Sequence, residues 1–130
     1  MVARTDHLAS IGIDAEPNEE LASDIIEMIA CNEEIKWIEK REGPCGLHWG
    51  KLFFSAKESV YKAWYPLTKS WLRFNEVVVH LDCCTRTFDV EILQSRCESG
   101  MHFGPYLFKG QYIYNSEFII TSVTVAVRIY

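Results

Sequence analysis

The sequence FSAKESVYKAW at positions 54–64 lies at the centre of a predicted amphipathic helix. Around it, apolar residues recur at the three–four spacing that one face of an α-helix produces; they are Trp49, Leu52, Phe53, Ala56, Val60, Ala63 and Trp64. Pro66 is expected to end this helix, because proline disfavours helical geometry in the residue before it. We therefore predict a long helix from about His48 to Pro66, with its apolar stripe against a core.

The face opposite that stripe combines charged and aromatic side chains. Glu58 and Lys62 lie there, flanked by Phe54 and Tyr61. One interpretation is structural, since a Glu and a Lys four residues apart form a favourable exposed ion pair on a helix. The other is a binding site, because two aromatic rings beside a carboxylate and an ammonium are unusual on a face turned to water. The helix alone leaves both interpretations open.

Length and composition restrict the class of protein. A chain of 130 residues with 48% hydrophobic and 24% charged residues is typical of one soluble globular domain. The net charge of −5 argues against nucleic acid as a partner. No apolar run is long enough to span a membrane, and no secretory signal is recognisable. Five cysteines without zinc-site spacing fit a reducing compartment, so we expect a cytoplasmic location.

A pair of acidic residues follows a predicted strand at His7–Ile13, whose apolar residues fall on both faces and are expected to be buried on both. If the extended conformation continues, its period of two places Asp14 and Glu16 on the same side. Gly12 permits a close backbone approach or an unusual dihedral angle there. Two adjacent carboxylates need a cation or hydrogen-bond donors, and a divalent metal supplies the former. Alternatively, Asp14 or Asn18 caps the following helix.

The remaining chain predicts one helix and an antiparallel meander. The helix spans Glu19 to about Ile29, and residues 31–46 are expected to form a loop with a helical turn near residues 34–40. Period-two alternation then predicts four strands, at residues 77–82, 88–92, 107–114 and 118–129. The fold class is therefore α+β, an antiparallel sheet with a long helix and a shorter helix packed on one face.

This fold brings the end of the first strand against the middle of the long helix. Asp14, Glu16 and Glu58 then converge, and carboxylates without His or Cys select Mg²⁺ or Mn²⁺. Lys62 and Lys57 beside them suit a phosphate, which points to phosphoryl transfer. A metal-dependent nuclease is the competing class. However, nucleases commonly place Glu and Lys two apart on a strand, and the acidic net charge disfavours such a substrate.

Residues 11–17 (IGIDAEP) and 54–64 resemble the two signature motifs of the 4′-phosphopantetheinyl transferase superfamily. Residues 64–72 (WYPLTKSWL) resemble the extension of the actinobacterial, siderophore-associated branch of its Sfp type, and Asp-x-Glu is the pattern of that type. The resemblance implies one lobe of a pseudo-twofold fold. It also implies transfer of the 4′-phosphopantetheine arm of coenzyme A to a serine of an acyl or peptidyl carrier protein, with release of 3′,5′-ADP.

The resemblance assigns residues to three roles. The metal ligands, which hold Mg²⁺ against the diphosphate, are Asp14, Glu16 and Glu58. The catalytic residues are Glu58, which helps to deprotonate the serine, Lys62, which neutralises charge on the phosphate, and Lys57, which assists. The residues that bind coenzyme A are Lys62 and the three aromatics expected to line the slot for the arm, Phe54, Tyr61 and Trp71.

The resemblance covers only the second lobe of the two-lobed Sfp-type enzymes. Residues 1–130 are expected to form a single domain, the C-terminal lobe, without the Ser-His element and basic residues that hold the adenine nucleotide. We expect a fragment, a shortened protein, or a chain that self-associates to complete the cleft, and therefore an exposed apolar seam. The alternative function is a non-catalytic remnant lobe that binds Mg²⁺ or carrier protein but cannot retain coenzyme A.

Overall fold

The five strands form one antiparallel sheet, and the helices pack on one of its faces. The computed structural model describes residues 8–41, 46–93 and 106–127. Its strands, in the spatial order β1-β5-β4-β3-β2, are β1 (Leu8–Pro17), β2 (Val77–Asp82), β3 (Thr87–Ile92), β4 (Tyr106–Tyr114) and β5 (Phe118–Val127). Its helices are α1 (Ser23–Ile29), α2 (Asn32–Lys40) and α3 (Trp49–Thr68), followed by a 3₁₀ turn at Phe74–Glu76. The predicted α+β class is confirmed.

The hydrophobic core lies between α3 and the sheet. The predicted helical stripe is buried from Leu52 to Trp64, and Trp49 packs against its edge. Alternate residues of β5 meet this stripe, as the period of a strand requires; they are Ile119, Thr121, Val123 and Val125. The meander is also confirmed, with β2 paired to β3, β3 to β4, and β4 to β5. Residues 100–105 and 129, predicted as loop and strand end, lie outside the described residues.

The backbone of β1 packs directly onto α3 at Gly12. A Cβ atom on Gly12 would lie 2.0 Å from the carbonyl oxygen of Ser59 and 2.8 Å from the backbone nitrogen of Ala63. Because both obstacles are helix backbone, only glycine fits, and the expected close approach is confirmed. β1 then runs on to Pro17, so that Asp14, two residues after Gly12, faces the same helix.

Three helix predictions were wrong. The first helix begins at Ser23 rather than at Glu19. The helix α3 does not stop at Pro66 but continues to Thr68. Its carbonyls near that end are satisfied by the Thr68 hydroxyl, 3.2 Å from the Trp64 oxygen, and by the Lys69 amide, 2.8 Å from the Tyr65 oxygen. Residues 32–40 form a complete helix rather than a turn within a loop, because Glu34 accepts the backbone N–H of Cys31 and caps the first turn.

The outer face of the sheet is partly apolar and open. β1 was predicted to be buried on both faces, but the side chains of Ile11 and Ile13 are 53% and 55% exposed. The reason is that the described helices all cover the opposite face. Other exposed apolar residues of this outer surface are Ile113, Phe118 and Ile120. No helix among the described residues is long and apolar enough to cross a membrane.

We predict that Gly12→Ala lowers the free energy of unfolding by about 3 kcal/mol, because the added methyl group overlaps helix backbone that cannot move aside. Urea unfolding followed by circular dichroism measures the change. Gly46→Ala is the matched control: Gly46 has a φ of 79° but open space around its Cβ position, so only the backbone cost of about 1 kcal/mol is expected. Equal losses in the two variants would contradict the proposed contact.

Candidate active site at the junction of β1 and α3

Asp14 is held by side chains from two directions. It is 5% exposed. Its Oδ2 accepts a hydrogen bond from the Ser55 hydroxyl at 2.8 Å, and its Oδ1 accepts one from the Lys62 ammonium at 2.9 Å. Ser55 is itself fixed by Thr121 of β5, whose hydroxyl lies 2.9 Å from the Ser55 hydroxyl and donates to the Ser55 carbonyl at 3.0 Å. The carboxylate therefore has a defined position against the middle of α3.

Glu16 lies on the same side of β1 as Asp14, as the period of two predicts. Its pKa is raised above the ordinary value of 4.5, first by burial, then by a hydrogen bond to Asp14 and by the negative charges of Asp14 and Glu58. Lys51, at the start of α3, opposes this shift. The sequence interpretation missed Lys51, although it lies on the helical face that Glu58 and Lys62 share.

Glu58 and Lys62 face this pair from α3. Burial and the charge of Asp14 raise the pKa of Glu58, while Lys62 lowers it. The hydrogen bond to Asp14 is the main cause that raises the pKa of Lys62, and the charges of all three acids add to it. Lys62 is 48% exposed and pairs with Asp14 across the β1–α3 junction. The sequence also allows an exposed ion pair between Glu58 and Lys62 along the helix. In the structure, the main contact of Lys62 is with Asp14 instead.

The three carboxylates influence one another without forming a three-ligand set. Within the described residues, no group of three or more His, Cys, Asp or Glu side chains is arranged to hold a metal ion. Asp14, Glu16 and Glu58 nevertheless act on one another's pKa values, and Lys62 donates a hydrogen bond to Asp14; their role as metal ligands stays a prediction. The oxygen-only donors nevertheless suit Mg²⁺, which proteins often hold through one or two carboxylates completed by water and phosphate oxygens.

An apolar cavity of 720 Å³ opens beside Glu58. Its walls come from α1, α3 and the segment that precedes β2, and are formed by Met28, Lys57, Glu58, Tyr61, Trp71, Leu72, Arg73, Phe74, Asn75 and Val77. Tyr61 and Trp71, both predicted to line a slot, stack with their ring centroids 5.6 Å apart. Phe54 stands behind the wall, stacked on Phe74 at 5.6 Å. Glu58 therefore borders both the acidic cluster and an aromatic cavity.

Lys57 is placed differently from the role predicted for it. Its side chain is 1% exposed, and its ammonium donates to Glu34 at 2.8 Å and to the carbonyls of Ile29 at 2.6 Å and Phe74 at 3.0 Å. All three ammonium protons are thus used by protein acceptors, and the geometry favours a structural role over an assisting contact to phosphate. Glu34 was missed because residues 31–46 were interpreted as a loop.

We predict that Glu58→Gln stabilises the domain at neutral pH by less than about 1 kcal/mol, since partial burial and the charge of Asp14 both disfavour this partly exposed carboxylate. Because the pKa of Glu58 is raised in the folded state, the folded protein binds more protons than the unfolded one just above pH 4.5. The cost of its charge is therefore complete at neutral pH and disappears as the pH falls through the raised pKa.

Thermal melting of the natural sequence and of the Glu58→Gln variant between pH 4 and pH 8 measures the difference in their stability. Glu91→Gln is the control, because Glu91 is 60% exposed beside His80 on the sheet and its replacement is expected to change stability little at any pH. A Glu58→Gln variant that melts below the natural sequence at neutral pH would contradict the proposed cost of the Glu58 charge.

A family model and three curated relatives agree with one another. The family model of the 4′-phosphopantetheinyl transferase superfamily matches residues 10–111. The chain is 38% identical over 129 residues to the 4′-phosphopantetheinyl transferase Svp of Streptomyces mobaraensis, covering 96% of this chain and 51% of that protein. It is 34% identical over 110 residues to the transferase Npt of Nocardia iowensis, covering 85% of this chain and 46% of Npt.

A shorter match, 43% identical over 76 residues, relates the chain to the 4′-phosphopantetheinyl transferase PptT of Mycobacterium tuberculosis, with 58% of this chain and 33% of PptT covered. The chain thus spans about half the length, or less, of the curated relatives it matches.

Proposed function

The chain belongs to the 4′-phosphopantetheinyl transferase superfamily, and on this premise we propose that it supplies one half of an enzyme that transfers 4′-phosphopantetheine from coenzyme A to a serine of an acyl or peptidyl carrier protein. The observation that carries the proposal is the position of Glu58. It borders the acids of β1 on one side and the aromatic cavity on the other. A ligand with a charged diphosphate and a long, mostly uncharged arm matches that arrangement.

Mg²⁺, or Mn²⁺ with the same preference for oxygen, is the proposed metal. The carboxyl groups of Asp14 and Glu16 are joined by a hydrogen bond, and that of Glu58 faces them from α3. When bound, the metal would neutralise the diphosphate oxygens and so favour attack at phosphorus. The raised pKa values of Glu16 and Glu58 support this proposal, because burial and neighbouring negative charges disfavour their charged forms, which a bound cation would favour.

The side chains of α3 perform the remaining tasks. Glu58 accepts the proton of the carrier serine while the serine oxygen forms the new bond to phosphorus. The bond between that phosphorus and the oxygen of 3′,5′-ADP breaks. Lys62, half-exposed at the edge of the cluster, can turn from Asp14 to a phosphate oxygen and neutralise the charge that develops there. Tyr61 and Trp71 enclose the arm, and Phe54 supports them from behind through Phe74.

We propose that a second body completes the cleft. The chain spans about half of its relatives, and the outer face of its sheet exposes Ile11, Ile13, Ile113, Phe118 and Ile120. We propose that residues 1–130 form the C-terminal lobe and that this face meets either a first lobe or a second copy of the chain. The adenine nucleotide would then be held largely by that other body.

Location and pathway are part of the proposal as well. The described cysteines, Cys31, Cys83 and Cys84, are free thiols, which supports a cytoplasmic site of action. The resemblance of residues 64–72 to the actinobacterial branch supports a role in siderophore assembly.

The metal-dependent nuclease considered from the sequence is set aside, because the family match leaves no feature that favours it.

A non-catalytic remnant lobe is the second candidate. It is favoured by one observation: both carboxylate oxygens of Asp14 already accept hydrogen bonds from Ser55 and Lys62. A remnant of this kind would bind Mg²⁺ or carrier protein without transferring the arm.

The test is transfer of a fluorescent coenzyme A analogue to apo carrier protein by the chain after a first lobe has been joined to it. We expect Mg²⁺-dependent transfer, and Glu58→Ala to reduce it at least about 100-fold through loss of the general base. Glu91→Ala, which removes an exposed carboxylate that does not line the cavity, is the matched control and should transfer at the natural rate. Unchanged transfer by Glu58→Ala would remove Glu58 from the mechanism, and carrier binding without transfer would favour the remnant.

A further inference from the structure

The ion pair between Lys57 and Glu34 is buried more deeply than the acids of the candidate site. The Lys57 ammonium lies 2.8 Å from Glu34 Oε1, and the two side chains are 1% and 2% exposed. Removing two charges from water is costly, and such a pair is sustained only where further hydrogen bonds satisfy both groups. Because Lys57 directly precedes Glu58 in α3, those further bonds lie at the wall of the aromatic cavity.

The two other protons of the Lys57 ammonium hold two separate walls of the cavity. One is donated to the carbonyl of Ile29 at 2.6 Å, at the end of α1, where the preceding residue, Met28, lines the cavity. The other is donated to the carbonyl of Phe74 at 3.0 Å, and Phe74 lines the cavity itself. A single charged group in α3 therefore joins all three walls.

Glu34 secures the same cavity from behind. Its Oε1 also accepts the backbone N–H of Cys31 at 2.9 Å, which fixes the start of α2. Its Oε2 accepts the backbone N–H of Val79 at 2.8 Å, in β2, two residues after Val77 at the cavity's edge. Hydrogen bonds to charged groups are stronger than those between neutral groups, so the segment from residue 71 to residue 79 is attached near its middle and at its end.

We propose that Glu34 and Lys57 are positioning residues for the pantetheine arm: they hold the three walls of the cavity beside Glu58 at a fixed spacing. This inference rests on the proposed function, in which the arm occupies the cavity. Neither residue acts on the reacting atoms, because the hydrogen-bonding atoms of both are engaged with protein partners. Their effect is on the binding of the arm, while the acids of β1 bind the charged part of the ligand independently.

The test uses the full chain with Glu34→Gln, Lys57→Met and the double variant. Each single change leaves one buried charge without its partner and is expected to lower the melting temperature by roughly 10 °C or more. The double variant carries neither charge and should melt above both single variants, so that a folded protein without the pair can be studied. The matched control is Asp89→Asn with Lys109→Met, an exposed pair 3.5 Å apart, which should change nothing.

Two readouts on the folded double variant decide the matter. Hydrogen exchange of the amides of residues 72–79 should become about tenfold faster, while that of β4 and β5 stays as it is. The affinity for 4′-phosphopantetheine should fall about tenfold, while the affinity for pyrophosphate with Mg²⁺ stays within about twofold. A residue that only supported global stability would weaken both ligands alike.

Amides at residues 72–79 that exchange as in the natural sequence, or equal losses of affinity for the two ligands, would overturn the inference. If the natural chain joined to a first lobe binds neither ligand while the double variant still shows faster exchange at residues 72–79, the proposed function fails. In that case the pair is still shown to hold the cavity walls, and only the identity of the cavity's ligand is refuted.

Discussion

The close packing of β1 onto α3 at Gly12 is the constraint on which the candidate site depends. With helix backbone only 2.0 Å from where a Cβ atom would lie, strand and helix meet more closely than any larger residue allows. Asp14, two residues further, is thereby brought within hydrogen-bonding distance of Ser55 and Lys62. The acids of the strand and the charged face of the helix share one site because these two backbones touch.

This arrangement brings the negative charges of Asp14, Glu16 and Glu58 near one another, and their repulsion does not stabilise the folded state. Burial and the charge of Asp14 raise the pKa values of Glu16 and Glu58, and the nearby cations, Lys51 for Glu16 and Lys62 for Glu58, compensate only in part. The opposite holds a few residues away, where the Glu34–Lys57 pair is fully satisfied by hydrogen bonds. A rigid, neutralised pair thus supports the cavity, and an under-neutralised cluster beside it is suited to receive a cation and a phosphate.

The periodicity of apolar residues in the sequence predicts most of the fold and part of the site. The three–four stripe of α3 and the alternation in β1 were sufficient to place Asp14, Glu16, Glu58 and Lys62 on facing surfaces. These patterns could not predict which side chains contact each other across the tertiary structure. The Glu34 partner of Lys57 lies 23 residues away in the sequence, in a segment whose polar composition resembles a loop until its first turn is capped. Likewise, the exposure of Ile11 and Ile13 depends on which face the helices cover, and a run of apolar residues does not reveal this.

The most direct test of the shared site is paramagnetic broadening by Mn²⁺, followed by nuclear magnetic resonance of the labelled chain. If Asp14, Glu16 and Glu58 surround one cation site, substoichiometric Mn²⁺ should first broaden the amides of residues 13–17 together with those in the middle of α3, around residue 58, and Mg²⁺ should reverse the effect. Broadening confined to β1, or centred on acids elsewhere in the chain, would contradict a site shared by strand and helix.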